Sequence, residues 1–169
     1  MAPEISTSMI RELREATGAG IMDAKRALEQ SDGDMKRAEE ALREKGLASA
    51  LKRAGREASE GVIAAYIHSG GRIGAMVELN CETDFVARTD EFKTTAHNLA
   101  MQVAAMSPQY LDRQNVPADA GEVADELLLM EQDYIRDSGV KIGDLVKQLS
   151  AKTGENVKVS RFQRFELGQ

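Results

Sequence analysis

Cys81, His68, His97, Asp84 and Glu82 are the side chains from which a nucleophilic or acid-base site could be assembled in this chain. A thiol becomes a nucleophile only beside a base or in a positive field, and no such group accompanies Cys81 locally. Two histidines and one cysteine, far apart and without ligand spacing, do not specify a metal site. The glycine-rich stretch Thr17-Gly18-Ala19-Gly20 does not match a phosphate loop either. It lacks a Gly-Lys-Ser/Thr ending, and it follows a helical pattern where a phosphate loop follows a strand. The sequence thus predicts a chain that is not an enzyme, holds no cofactor and binds no nucleotide itself.

The same region reads more simply as a contact surface. Thr83-Asp84-Phe85-Val86 follows a strand-like alternation, Ile73, Ala75, Val77 and Leu79 against Gly74, Met76, Glu78 and Asn80, and precedes a long helical pattern. It therefore lies where a sheet edge turns into a helix. Two placements of Phe85 are open at such a corner. It can plug the core beneath the turn, with Thr83 or Asp84 capping the helix, or it can project. Ile21-Met22 sets two large apolar side chains directly after a glycine turn, in a module too small to take both inside easily. Core or scattered surface positions stay equally open for the pair, although Met suits an adaptable contact surface.

The elements that must position these residues fall into an α+β arrangement. Met9, Ile10, Leu13 and Ala16 make a first helical stripe, Ile21, Ala24, Ala27 and Leu28 a second, and Met35, Ala38, Ala41 and Leu42 a third. Gly18 and Gly20 loosen the first turn, and Ser31-Asp32-Gly33-Asp34 supplies the second, with Asp34 placed to cap the third helix. This gives a three-helix module over residues 1–45. Residues 46–60, rich in Ala, Lys and Arg and interrupted by Gly55, read as a helical linker. Residues 61–169 form the core. It opens with a hairpin turned by Ser69-Gly70-Gly71-Arg72 and continues into a helix capped by Thr89, with Phe92, Ala96, Leu99, Val103 and Met106 on one face. Pro108 and Pro117 bracket a loop, residues 127–134 and 142–149 predict two more helices, and Val157, Val159, Phe162 and Phe165 predict a last strand with a bulge. The expected core is a three-stranded antiparallel sheet packed by helices.

Composition narrows the setting. The 169 residues carry a net charge of -6, which argues against direct nucleic-acid binding resting on phosphate neutralisation. Residues 36–56 nonetheless hold seven basic side chains against three acidic, either a solvated helix face or one that steers an acidic partner. No apolar run approaches membrane-spanning length, and Met1-Ala2-Pro3-Glu4 lacks the start of a secretory signal. A single cysteine rules out a disulfide within the chain and fits a reducing compartment. The expectation is a cytoplasmic protein.

Several of these segments occur together in one known order: Leu13 to Leu28 with its Thr17-Gly18-Ala19-Gly20-Ile21-Met22-Asp23 centre, the Ser31-Asp32-Gly33-Asp34 turn, Asn80-Cys81-Glu82-Thr83-Asp84-Phe85-Val86-Ala87-Arg88, and the closing Arg161-Phe162-Gln163-Arg164-Phe165-Glu166-Leu167-Gly168. In this the chain resembles the translation elongation factor Ts family, guanine-nucleotide exchange factors of elongation factor Tu. The resemblance implies that the N-terminal module is UBA-like and that Arg14, Ile21, Met22 and Lys25 touch the partner's nucleotide-binding domain. It implies that Thr83, Asp84, Phe85 and Val86 form the active element: Asp84 and Phe85 enter the G domain, disturb its magnesium and phosphate sites and release GDP. His68 resembles a further core contact, although the residues alone fit a solvent-facing histidine equally well. The partner would be met GDP-bound and nucleotide-free. Between Pro117 and Tyr134 the chain is shorter than family members that carry a helical, coiled-coil protrusion there, and it has one core subdomain where long members have two. By resemblance to shorter members, a homodimer would rebuild the two-lobed surface. The rival reading is a UBA-like adaptor that binds some other protein, with the core acting as a dimeriser.

Overall fold

The computed structural model of the chain describes residues 5–169. The reading of residues 1–4 as lacking a signal start lies outside them. Three helices come first: α1 (Thr7–Thr17), α2 (Ile21–Gln30) and α3 (Met35–Arg53). The Ser6 hydroxyl accepts from the Met9 N–H and the Asp34 carboxylate from the Arg37 N–H, so α1 and α3 begin on side-chain caps. Gly18 ends α1 in the left-handed region, φ 69°, which a Cβ would oppose. Leu13, Ala24, Ala27, Leu28, Ala38 and Leu42 close into a small core of their own, while Ala16 and Ala41 stay at the surface. Helix α3 runs unbroken through residues 45 and 46 and packs its second half on a later helix.

Strands β1 (Glu60–Ile67) and β2 (Ile73–Cys81) form the expected hairpin. Gly70 and Gly71 take φ of 87° and 67° in the turn between them. After β2 come a single helical turn, α4 (Asp84–Ala87), and the long α5 (Asp90–Met106), capped by the Thr89 hydroxyl on the Phe92 N–H. A short hairpin, β3 (Asp133–Tyr134) with β4 (Asp137–Lys141), leads into α6 (Ile142–Thr153) and β5 (Lys158–Glu166). The main sheet is antiparallel, order β1-β2-β5, and its β2–β5 register slips between Glu78 and Leu79, the irregularity expected of the last strand.

One face of that sheet is covered. Ala75, Val77, Leu79 and Val159 meet Phe92, Ala96, Leu99 and Val103 of α5 and Val146 and Leu149 of α6 in one continuous core. Among the described residues nothing covers the opposite face, to which the pleat sends Ile63, Ala65 and Ile67 beside Met76 and Phe165. Ile63, Ile67 and Phe165 are each more than 60% exposed. In register, Ile67 and Phe165 flank Gly74, and Ile67 lies over it so closely that a Cβ on Gly74 would come within 2.7 Å of the isoleucine Cδ1.

The helix expected over residues 127–134 is replaced by 3-10 turns at Asp125–Leu127 and Leu129–Glu131 and by β3. Apart from the local bonds of those 3-10 turns, the backbone there bonds sideways to other segments. Leu127 O accepts from the N–H groups of Gln109 and Tyr110, and Leu129 N–H donates to Tyr110 O. The Gln102 amide, wholly buried in α5, donates to the Gln132 side chain and to Asp133 O and accepts from the Ile135 N–H. Apolar periodicity in Leu127-Leu128-Leu129-Met130 therefore reflects burial without helix.

Candidate functional site

The corner between β2 and α5 is built from both sides of the chain. Thr83 is extended, φ -128°, and its hydroxyl accepts from the Val86 N–H at 3.5 Å, capping α4. Ala87 is buried and Val86 half-buried against the core. With those residues turned inward, the ring of Phe85 points out and is 78% exposed. Of the two placements open in the sequence, the structure takes the projecting one, and the aromatic plug of the core is Phe92, fully buried in α5. Asp84 sits beside it in an ion pair with Arg88, 2.7 Å, one turn on.

Sequence reasoning missed what holds this corner. Glu155, just past the left-handed cap Gly154 of α6, sends one carboxylate oxygen to the N–H groups of Glu82 and Thr83, both at 3.0 Å. The other accepts from the Thr83 hydroxyl at 2.6 Å. In return the Asn156 N–H donates to the Glu82 carboxylate at 2.6 Å, and Arg56 pairs with the same carboxylate at 3.6 Å. The only local signal was an acidic residue directly after a helix-ending glycine, and nothing in sequence spacing ties it to Thr83.

Cys81 is wholly buried, and its thiol donates to Thr83 O at 3.1 Å. Burial, with the Glu155 charge adding to it, pushes the thiol up from its ordinary 9.0 to about 11. That is the wrong direction for a nucleophile. His68 is exposed at the end of β1, where its Nδ1 lies 3.0 Å from the Tyr66 hydroxyl, and Tyr66 meets His97 edge-on at 5.9 Å. Both histidines thus flank a tyrosine, and neither is bonded to Cys81. No group of three or more His, Cys, Asp or Glu among the described residues is arranged to hold a metal ion.

The N-terminal residues form a second surface. Ile21 and Met22 open α2 at 58% and 65% exposure. Arg14 is exposed across the turn, its Nε donating to Ala19 O, and Lys25 lies one turn further with Glu29 at 3.8 Å. The structure gathers Thr83–Val86 in one place, Arg14, Ile21, Met22 and Lys25 in another, and His68 at a hairpin end. Among the described residues no hydrogen bond or ion pair links the three sets.

An aromatic ring held out from a braced corner, a second apolar pair on a helical turn and a bare sheet face define an α+β protein built to meet other macromolecules at its surface. The sequence model of the family described as "Elongation factor TS" matches residues 22–128. Relatives named elongation factor Ts align over 98% of this chain: that of Thermotoga maritima is 50% identical with 98% of its own length covered, that of Carboxydothermus hydrogenoformans 48% with 90%, and that of Fervidobacterium nodosum 45% with 100%. The chain belongs to the elongation factor Ts family. The Thermotoga alignment runs over 194 positions against 169 residues here, so that relative carries residues this chain lacks. Between Pro117 and Tyr134, where by the resemblance longer family members carry a helical protrusion, the chain makes two 3-10 turns and enters β3.

Proposed function

We propose that the protein is a non-enzymatic guanine-nucleotide exchange factor that releases GDP from elongation factor Tu during translation elongation. The observation that carries this reading is Phe85, projecting from a corner whose backbone is fixed from below. A ring so presented enters a partner without first being ordered, which lowers the cost of binding. Asp84 accompanies it, and its pair with Arg88 is solvent-accessible, so the carboxylate can be shared with partner donors on docking. Wedged into the G domain, the pair disturbs the magnesium and phosphate sites and bound GDP leaves. By linkage, the factor by which the protein weakens nucleotide binding is the factor by which nucleotide weakens its own binding, so incoming GTP expels it.

The division of labour is part of the proposal: a UBA-like contact module at residues 1–45 using Arg14, Ile21, Met22 and Lys25, a linker at 46–60 and a core at 61–169 carrying Thr83–Val86 and His68. The core also serves as a dimeriser. Two copies pack their bare sheet faces together through Ile63, Ile67, Met76 and Phe165, the isologous arrangement by which identical surfaces close. The place of work is the cytoplasm, and among the described residues no helix is long and apolar enough to cross a membrane.

The test is the release rate of a fluorescent GDP from elongation factor Tu with and without the protein, after thermal melting confirms that it is folded. Acceleration of label release in the presence of excess unlabelled nucleotide, which takes the emptied site and keeps the label from rebinding, supports the reading. A folded protein that leaves the rate at that of buffer overturns it in favour of the adaptor.

A further inference from the structure

We infer that Glu155 is a positioning residue for the Asp84–Phe85 contact, an inference that rests on the exchange reading above. Helix α4 is one turn of four residues, too short to hold itself in water. Phe85, mostly in solvent, is not aimed by its own packing. The direction of the ring therefore comes from the chain on either side of it, and Glu155 holds that chain by two backbone N–H groups, of Glu82 and Thr83, and by the Thr83 hydroxyl. Because the same hydroxyl caps Val86, the grip extends past Phe85 to its C-terminal side.

The grip is itself anchored. Asn156 is buried, its side-chain amide donating to Ala54 O at 3.2 Å and Arg56 O at 2.7 Å, just past the end of α3, while its backbone N–H holds Glu82. Glu155 and Glu82 thus exchange hydrogen bonds across more than seventy residues, each carboxylate taking backbone N–H groups from the other's segment. Hydrogen bonds to a charged acceptor in a half-buried site are the strong kind, and removing their acceptor strands the donors. Glu155→Ala removes all three bonds. Glu155→Gln keeps a carbonyl oxygen for the two N–H groups and offers an amide N–H to the Thr83 oxygen, so it preserves the geometry.

The experiment measures stimulated release of a fluorescent GDP from elongation factor Tu by the full chain and its Glu155→Ala, Glu155→Gln, Phe85→Ala and Glu155→Ala/Phe85→Ala variants, below the melting point of each. Misplacing the ring should slow release by Glu155→Ala on the order of tenfold to a hundredfold, with Glu155→Gln within about threefold of wild type. A residue that acts through Phe85 adds less than about twofold once Phe85 is gone, while the drop in melting temperature persists. Full activity of Glu155→Ala beside an impaired Phe85→Ala overturns this inference alone. Effects that multiply in the double variant also overturn it, since Glu155 would then act on the fold at large. A fully active Phe85→Ala overturns the inference by removing Phe85 as the active element while the exchange reading stands, and a folded wild type that leaves the rate at that of buffer overturns the exchange reading itself.

Discussion

Replacing Phe85 by Ala separates the contact role from a structural one because the two predict opposite things. A phenylalanine presents about 150–250 Å², so covering the 78% that is exposed would contribute about 3–5 kcal/mol at ~25 cal/mol per Å². Ordering and desolvation on association reduce that ceiling. Loss of about 2 kcal/mol or more, the range of an interface hot spot, is expected, which is about a thirtyfold loss in affinity for the nucleotide-free partner. The free protein should hardly notice. An exposed substitution changes stability by about 0.5 kcal/mol or less, and Ala is the better helix former in α4. Phe92→Ala is the control, since its ring is fully buried and its loss should cost about 3–5 kcal/mol of folding stability. Urea melts of the free variants, beside titration of nucleotide-free elongation factor Tu, read both quantities. A Phe85→Ala protein that binds as wild type, or one destabilised as much as Phe92→Ala, refutes the reasoning.

The remaining predictions concern the fold around that site. Ile67→Glu, with Phe165→Glu as a second variant, should convert a dimer to a folded monomer in sedimentation, because both side chains lie on the bare sheet face; a wild type that is already monomeric would defeat the dimer proposal. Gly61→Ala should cost more than about 2 kcal/mol in denaturant melts, since at φ 148° an added Cβ would fall 2.1 Å from Leu79 O on the partner strand; unchanged stability would show that β1 can shift. Cys81, raised by burial from 9.0 to about 11, holds its proton more tightly folded than unfolded. Its contribution is present below pH 9 and is lost as pH rises through about 11. Wild type should therefore lose stability relative to Cys81→Ala across that window, and parallel pH profiles would contradict the burial.

Much of the fold was legible wherever the signal is local. Asp34 and Thr89 cap their helices as expected and the Gly70-Gly71 pair turns the first hairpin; of the expected stripe, Phe92, Ala96, Leu99 and Val103 are buried, while Met106, at the end of α5, is 43% exposed. Each depends on residues a few positions apart. The sequence failed where the backbone finds partners at a distance. Residues 127–134 carry helical apolarity, yet they bond to residues 109–111 and to the Gln102 amide. The candidate corner divides in the same way. Thr83 as a cap could be read from its neighbours, and Phe85 as a projection was one of two choices, but the Glu155 carboxylate reaches it only through the folded sheet.

Helix α3 spans 19 residues, about 28 Å at 1.5 Å per residue. Gly46 lets it approach α6 so closely that a Cβ there would lie 2.9 Å from the Ala151 Cβ, and Arg53 donates to Ser150 O near its end. The Ile21–Met22 surface and the Phe85 corner are therefore joined by a strut, without a hinge inside the helix. On a partner that offers both sites, the first contact would make the second effectively intramolecular, a chelate whose gain depends on spacing. The strut then acts as a gauge. An added turn between Leu42, in the module's core, and Gly46, against α6, would shift one contact relative to the other by about 5.4 Å along the helix and should lower the combined avidity in titration while leaving each individual contact able to form.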